Sequence, residues 1–114
     1  MALSVGIDLI EIDRIERALE RRPRLAERLF TPAELAYARK RARPGRHLAA
    51  RFAAKEAVIK ALGRGVPLKE IEVVNGEPPS LQLHGQAAEV AGDTEIAVSL
   101  THSRDSAAAV AIAT

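Results

Sequence analysis

The sequence predicts an α+β fold in which one N-terminal strand and several helices precede a mostly antiparallel sheet that the helices pack against. Three observations predict it. A short branched apolar run, Leu3 to Ile10, opens the chain. Apolar residues then recur at helical steps of three and four up to about residue 62. From residue 68 onward they alternate instead, as strands do. A length of 114 residues suits a single domain covering 1–114.

Composition narrows the chemistry. Apolar residues make up 47% of the chain but aromatics only 3%, so the core is Ala, Val, Ile and Leu. Small side chains bury little area each, which makes oligomerisation a reasonable way to bury more. There is no cysteine, which excludes disulfide scaffolds, thiolate metal clusters and thiol catalysis and fits a reducing compartment. No apolar run approaches the roughly 18 residues of a membrane span. The N-terminus lacks the basic start and long apolar run of a signal peptide, because Asp8 cuts it short. A net charge of +2 is too mild to imply nucleic-acid binding.

Strand 3–10 places Val5, Ile7 and Leu9 on one face and Gly6, Asp8 and Ile10 on the other. It reads as buried. A carboxylate there is costly unless it caps a helix, is paired or holds a metal. Gly6, on the same face, leaves room for a close approach. Asp13 is expected to cap a helix running to about Arg22, which Pro23 ends. A short helix over about 24–29 follows. Arg14, Arg17, Arg21, Arg24 and Arg28 step at helical spacing, either as a solvated, salt-bridged face or as a docking stripe for an acidic partner. Thr31-Pro32-Ala33-Glu34 is a capping box with proline at the first helical position, opening a helix to about Ala42. The longest helix spans 46–62, with Gly63 as its C-terminal glycine. Segments 71–74 and 80–83 read as strands around Asn75-Gly76, 84–91 as a short helix, and 95–102 and 107–113 as a paired hairpin.

The long helix carries the densest chemistry. Glu56 and Lys60 lie one turn apart, and Lys55 falls in the apolar stripe Leu48, Phe52, Lys55, Ile59, Leu62. Spacing alone allows a surface ion pair worth about 0.3–0.5 kcal/mol, or the wall of a site with Lys55 at its edge. His102 ends the apolar face of its strand, with Ser99, Thr101 and Ser103 close by in sequence. His47 and His84 have no partners at ligand spacing. No phosphate-binding glycine loop, zinc motif or nucleophile elbow is present. Two carboxylates in apolar surroundings remain, Asp8 and Glu56. Oxygen ligands of this kind suit Mg²⁺, which leaves its other positions to water and phosphates.

These residues fall into recognisable motifs. Gly6-Ile7-Asp8 and Phe52-Ala-Ala-Lys55-Glu56-Ala-Val-Ile-Lys60 lie in order, with Asp8 and Glu56 48 residues apart. With Phe30-Thr-Pro-Ala-Glu34-Leu and Ser99-Leu-Thr-His102-Ser, they resemble the bacterial holo-acyl-carrier-protein synthases, the small class of 4′-phosphopantetheinyl transferases. The likeness runs end to end and is loosest around 75–80.

The resemblance implies the fold of that family, a homotrimer with active sites between subunits, and transfer of phosphopantetheine from CoA to acyl carrier protein with Mg²⁺. It implies that Asp8 and Glu56 hold Mg²⁺ and that Lys60 contacts the CoA diphosphate. Arg46, Arg51 and Lys55 are expected on CoA phosphates, and Ser99, Thr101 and His102 on the nucleotide. Arg14, Arg21, Arg24 and Arg28 are expected to dock the carrier protein; Arg17 has no counterpart in the resemblance. The expected setting is cytoplasmic, without nucleic acid or membrane. The competing reading is a non-catalytic basic module for RNA or an acidic protein, which would need neither Asp8 nor Glu56. Three aromatics, Phe30, Tyr37 and Phe52, are poor material for base stacking.

Overall fold

The computed structural model describes residues 2–114 and has the expected α+β architecture. Met1 lies outside the described residues. In chain order the elements are β1 (Ser4–Glu11), α1 (Ile12–Arg21), α2 (Leu25–Leu29), α3 (Pro32–Arg39), α4 (Pro44–Leu62), a 3₁₀ turn (Leu68–Glu70), β2 (Ile71–Val74), β3 (Ser80–Leu83), α5 (Gly85–Ala91), β4 (Ile96–His102) and β5 (Ser106–Ala113).

The strands form two sheets. β2 and β3 pair as a separate hairpin, while the larger antiparallel sheet has the order β1-β5-β4. The first strand thus pairs with the last, Gly6 opposite Ala111 and Asp8 opposite Ala109. β5 pairs with β4 on its other edge, Val98 opposite Ala111 and His102 opposite Ala107. Alternation puts Ala107, Ala109, Ala111 and Ala113 on the inner face, where all are buried.

α4 lies across that inner face. Ala49, Ala50, Ala53, Ala54, Ala57 and Ala61 of α4 are all buried. Alanine against alanine brings helix and sheet unusually close. Gly6 is where they meet: a Cβ there would stand 1.9 Å from the Ala57 carbonyl oxygen and 2.8 Å from the Ala61 nitrogen. Backbone cannot yield as a side-chain tip can, so only glycine fits. The Ser4 hydroxyl donates to the Ala61 carbonyl at 2.6 Å, fastening the same contact.

The opposite face of β1 is not covered. Val5, Ile7 and Leu9 are 56%, 67% and 72% exposed, so the strand is buried on one side only. Leu3 and Ile112 extend this apolar surface.

Three local expectations change. α1 begins at Ile12, and its N-cap position, Glu11, makes no side-chain cap. Asp13 is already inside the first turn, where it pairs with Arg17 at 2.9 Å. α3 stops at Arg39, short of Ala42. Val74 pairs with Ser80, so the β2–β3 connection spans 75–79 rather than a two-residue turn. The Thr31–Glu34 capping box forms as read, with both reciprocal hydrogen bonds present.

Candidate active site

The close packing of α4 on β1 sets two carboxylates side by side. Asp8, on the inner face of β1, and Glu56, on α4, line one cleft of about 390 Å³ with Arg14 of α1. Ile15, Leu25, Leu29 and Phe52 supply its apolar wall. Lys60 turns toward the strand rather than toward Glu56. Its Nζ donates to the Ile7 carbonyl at 2.9 Å and to Asp8 Oδ1 at 3.2 Å. An ammonium carries three protons, so one is left for a ligand. The helical spacing of Glu56 and Lys60 is thus not a surface pair, because the strand competes for the lysine.

Burial pushes the Glu56 carboxyl above the ordinary glutamate range; Asp8 adds to the shift and Lys60 opposes it. An ionised Glu56 is therefore costly here until a positive charge arrives. Among the described residues no group of three or more His, Cys, Asp or Glu side chains is arranged to hold a metal. Two adjacent carboxylates still fit Mg²⁺, which takes few protein ligands and completes its shell with water and phosphate oxygens.

The residues expected on the nucleotide lie elsewhere. β4 is two strands away from β1, about 10 Å at the usual strand spacing. His102 is on the inner face of that far edge, its ring 5.9 Å from the His47 ring of α4 in an edge-on contact. Ser99 and Thr101 point the other way, onto the outer face that carries Val5, Ile7 and Leu9. One subunit therefore does not bring all the expected residues together.

His47 was not singled out by the sequence. It joins the His102 edge through the fold, between His102 and Tyr37, whose ring is also 5.9 Å away. Arg41 and Arg51 stack on Tyr37 at 3.5 and 4.1 Å. Burial lowers the His47 pKa, and the nearby Arg51, Arg46, His102 and Arg41 lower it further. Arg51 is buried, and the buried Nε atoms of Arg46 and Arg51 have no hydrogen-bond partner among the described residues. Donors left unpaired in a basic surrounding suit an anion.

Lys55 requires a correction. It was expected at the edge of the site on CoA phosphates, but its side chain is fully buried. Its Nζ donates to Glu34 Oε1 at 2.8 Å and to the carbonyls of Leu68 at 3.0 Å and Ile71 at 2.8 Å. All three protons are used, so none remains for a phosphate. Glu34 is equally occupied, accepting from the Thr31 and Val73 backbone amides at 2.9 Å each. The pair ties α3, α4, the 3₁₀ turn and β2 together.

Arg14, Arg17, Arg21, Arg24 and Arg28 are all exposed. Pro23 lies between α1 and α2, and only Arg17 is drawn into an ion pair, with Asp13. Arg14 alone among them reaches the cleft of Asp8 and Glu56.

Comparison with known proteins identifies the family. The 4′-phosphopantetheinyl transferase superfamily matches residues 4–113. A holo-[acyl-carrier-protein] synthase of Moorella thermoacetica is 52% identical over an alignment 118 positions long, gaps included, that covers 96% of this chain and 92% of that protein. The Chronobacterium ammoniagenes ACPS–CoA complex superposes with a TM-score of 0.88 at 36% identity, over 99% of this chain and 97% of that one. The acyl carrier protein synthase of Mycobacterium tuberculosis gives a TM-score of 0.82 at 42% identity, over 97% and 96% of the two chains. The chain belongs to the 4′-phosphopantetheinyl transferase superfamily.

Proposed function

We propose that this chain transfers the 4′-phosphopantetheine group of CoA to a serine of apo acyl carrier protein, releasing 3′,5′-ADP, in support of fatty acid or polyketide synthesis. The observation that carries the reading is that Asp8 and Glu56 line one cleft while Lys60 bonds to Asp8. The serine Oγ attacks the β-phosphorus of CoA. The bond from that phosphorus to the oxygen bridging the diphosphate breaks, and 3′,5′-ADP leaves with the bridging oxygen. The serine proton passes to Glu56, directly or through a water. Such transfers depend on positioning and charge neutralisation more than on covalent help from protein. Mg²⁺ held by Asp8 and Glu56 would offset the charge building on the phosphate oxygens. The free proton of Lys60 faces the same diphosphate.

Ser99, Thr101, His102, Arg46 and Arg51 serve the nucleotide of a CoA bound by a neighbouring subunit. The exposed Leu3, Val5, Ile7, Leu9 and Ile112 favour this, because an apolar sheet face of this kind is covered in the working protein. A homotrimer sealed by that face brings the β4 side of one subunit to the β1 side of the next. Arg14, Arg21, Arg24 and Arg28 dock an acidic helix of the carrier protein. The setting is cytoplasmic; no helix among the described residues is long and apolar enough to cross a membrane.

Incubation of apo carrier protein with CoA, Mg²⁺ and this protein is expected to add the mass of phosphopantetheine to the carrier, read by mass spectrometry. No gain across a panel of bacterial carrier proteins would sink the reading. Ile7→Glu, which places a charge at the centre of the outer face, is expected to leave a folded monomer of about 12.3 kDa by light scattering, with transfer lost. A variant that stays trimeric and active would remove the face from the interface.

A further inference from the structure

Arg43 was not singled out as a functional residue, yet its guanidinium bridges α1 and the turn between β4 and β5. It stands at the N-cap position of α4. Its Nε donates to Glu16 Oε2 at 3.2 Å and its Nη2 to Glu16 Oε1 at 3.1 Å, a two-pronged pair with α1. Its Nη1 donates to the Arg104 carbonyl at 2.8 Å, in the turn between β4 and β5. All three guanidinium nitrogens are engaged, which sets this pair apart from an ordinary exposed one. Gly45 makes room for it: a Cβ there would lie 2.3 Å from Glu16 Cγ and 2.5 Å from its Oε2.

The turn is held partly from within, by the Ser103 hydroxyl, which accepts from the Ser106 N–H at 3.3 Å and donates to the Ser106 carbonyl at 3.4 Å. Ser103, Arg104 and Asp105 are exposed and have no apolar side chain to pack. Besides its own Ser103 N–H to Ser106 carbonyl bond of 2.8 Å, its other backbone tie is from the Ile12 N–H, the first residue of α1, to the Asp105 carbonyl at 2.9 Å. Arg43 fixes the adjacent carbonyl from the α4 side. His102, two residues from Arg104, is the last residue of β4 and rests against His47 of α4.

We propose that Glu16, Arg43 and Gly45 form a clamp that positions the β4–β5 turn, and with it His102, for the nucleotide half of CoA. This rests on the functional reading above. Arg43 and Glu16 are positioning residues: they hold the turn without touching the reacting atoms. Because α1 is anchored independently by the buried Ile12 and Ile15, loosening the clamp frees the turn and leaves the carrier-docking arginines in place.

The test is steady-state transfer with CoA and apo carrier protein, using Glu16→Gln, Arg43→Gln, Arg43→Lys and the double variant Glu16→Gln/Arg43→Gln. Each single variant is expected to raise KM for CoA about tenfold, since a displaced contact on a bound substrate is costly. KM for the carrier protein and kcat should stay within about twofold, a margin well under the tenfold that 1.4 kcal/mol represents. The double variant should be no worse than Arg43→Gln, because both remove one device. Arg43→Lys should resemble Arg43→Gln, since the fork matters rather than the charge. If Arg43→Gln raises KM for CoA and Glu16→Gln does not, Arg43 contacts CoA directly and the clamp is overturned. Unchanged KM for CoA in both, or an equal rise in KM for both substrates, also overturns it. A wild-type protein that transfers nothing overturns the functional reading and this inference together, whereas normal wild-type turnover with unaltered variants overturns the clamp alone.

Discussion

Glu56→Gln is expected to lower phosphopantetheine transfer by at least about 10³-fold, within the range that general acid–base catalysis alone supplies, while leaving a protein that melts higher than wild type in the absence of divalent cation. The two effects share one cause. The native surroundings push the Glu56 carboxyl above its ordinary range, through burial first and Asp8 second. The folded state therefore holds that proton more tightly than the unfolded chain. Its stabilising contribution is fully present below the unfolded glutamate value, near pH 4.3, and is lost as pH rises through the raised folded value. Above that folded value the wild-type fold carries an ionised carboxylate against its preference, and Gln, which has the same shape without the charge, removes that cost. The stability gap between variant and wild type should accordingly widen as pH rises through that window, and close when Mg²⁺ is added to the wild type. Cation-free and cation-loaded melts across pH would show it. A Gln variant that transfers normally, or that melts lower than wild type without cation, would remove Glu56 from the metal site.

Most of the fold was legible because it rests on local patterns. The Thr31 capping box, the αL glycine at Gly63 with φ 72° and the alternation of 96–102 are each set by neighbouring residues. The pairing of β1 with β5 depends on contacts about a hundred residues apart, which no local period records. The site divides in the same way. Asp8 and Glu56 stood out because a carboxylate on an apolar strand or helix breaks its local pattern. His47 and Arg43 broke none; tertiary neighbours alone give them their place, His102 for one and Glu16 for the other. Arg51 broke the pattern little, and its position beneath Tyr37 could not be read from spacing.

Lys55 shows why a broken pattern is ambiguous, and its replacement gives the largest expected loss of stability. A lysine in an apolar stripe signals either a site or a buried ion pair, and the sequence does not name the partner twenty-one residues away. Lys55→Met keeps the length and apolar body of the side chain but removes its three donors. Glu34 is then left charged in the core, where it is 1% exposed, and the Leu68 and Ile71 carbonyls lose their donor. Breaking a buried pair from one side costs about 3–5 kcal/mol, a large part of the roughly 5–15 kcal/mol that holds a domain together. Urea unfolding should therefore shift to much lower midpoints. Adding Glu34→Gln should recover part of the loss, since it removes the stranded charge while its one amide oxygen still accepts from either the Thr31 or the Val73 N–H group. Under conditions where the single variant remains folded, its KM for CoA should match wild type, because no proton of Lys55 faces the cleft. A variant with the wild-type unfolding midpoint and a raised KM for CoA would return Lys55 to the phosphates. The distinction matters for the motif as a whole: of the three polar groups between 55 and 60, Glu56 shares a cleft with Asp8 and Lys60 bonds to Asp8, whereas Lys55 holds α4 against α3 and β2.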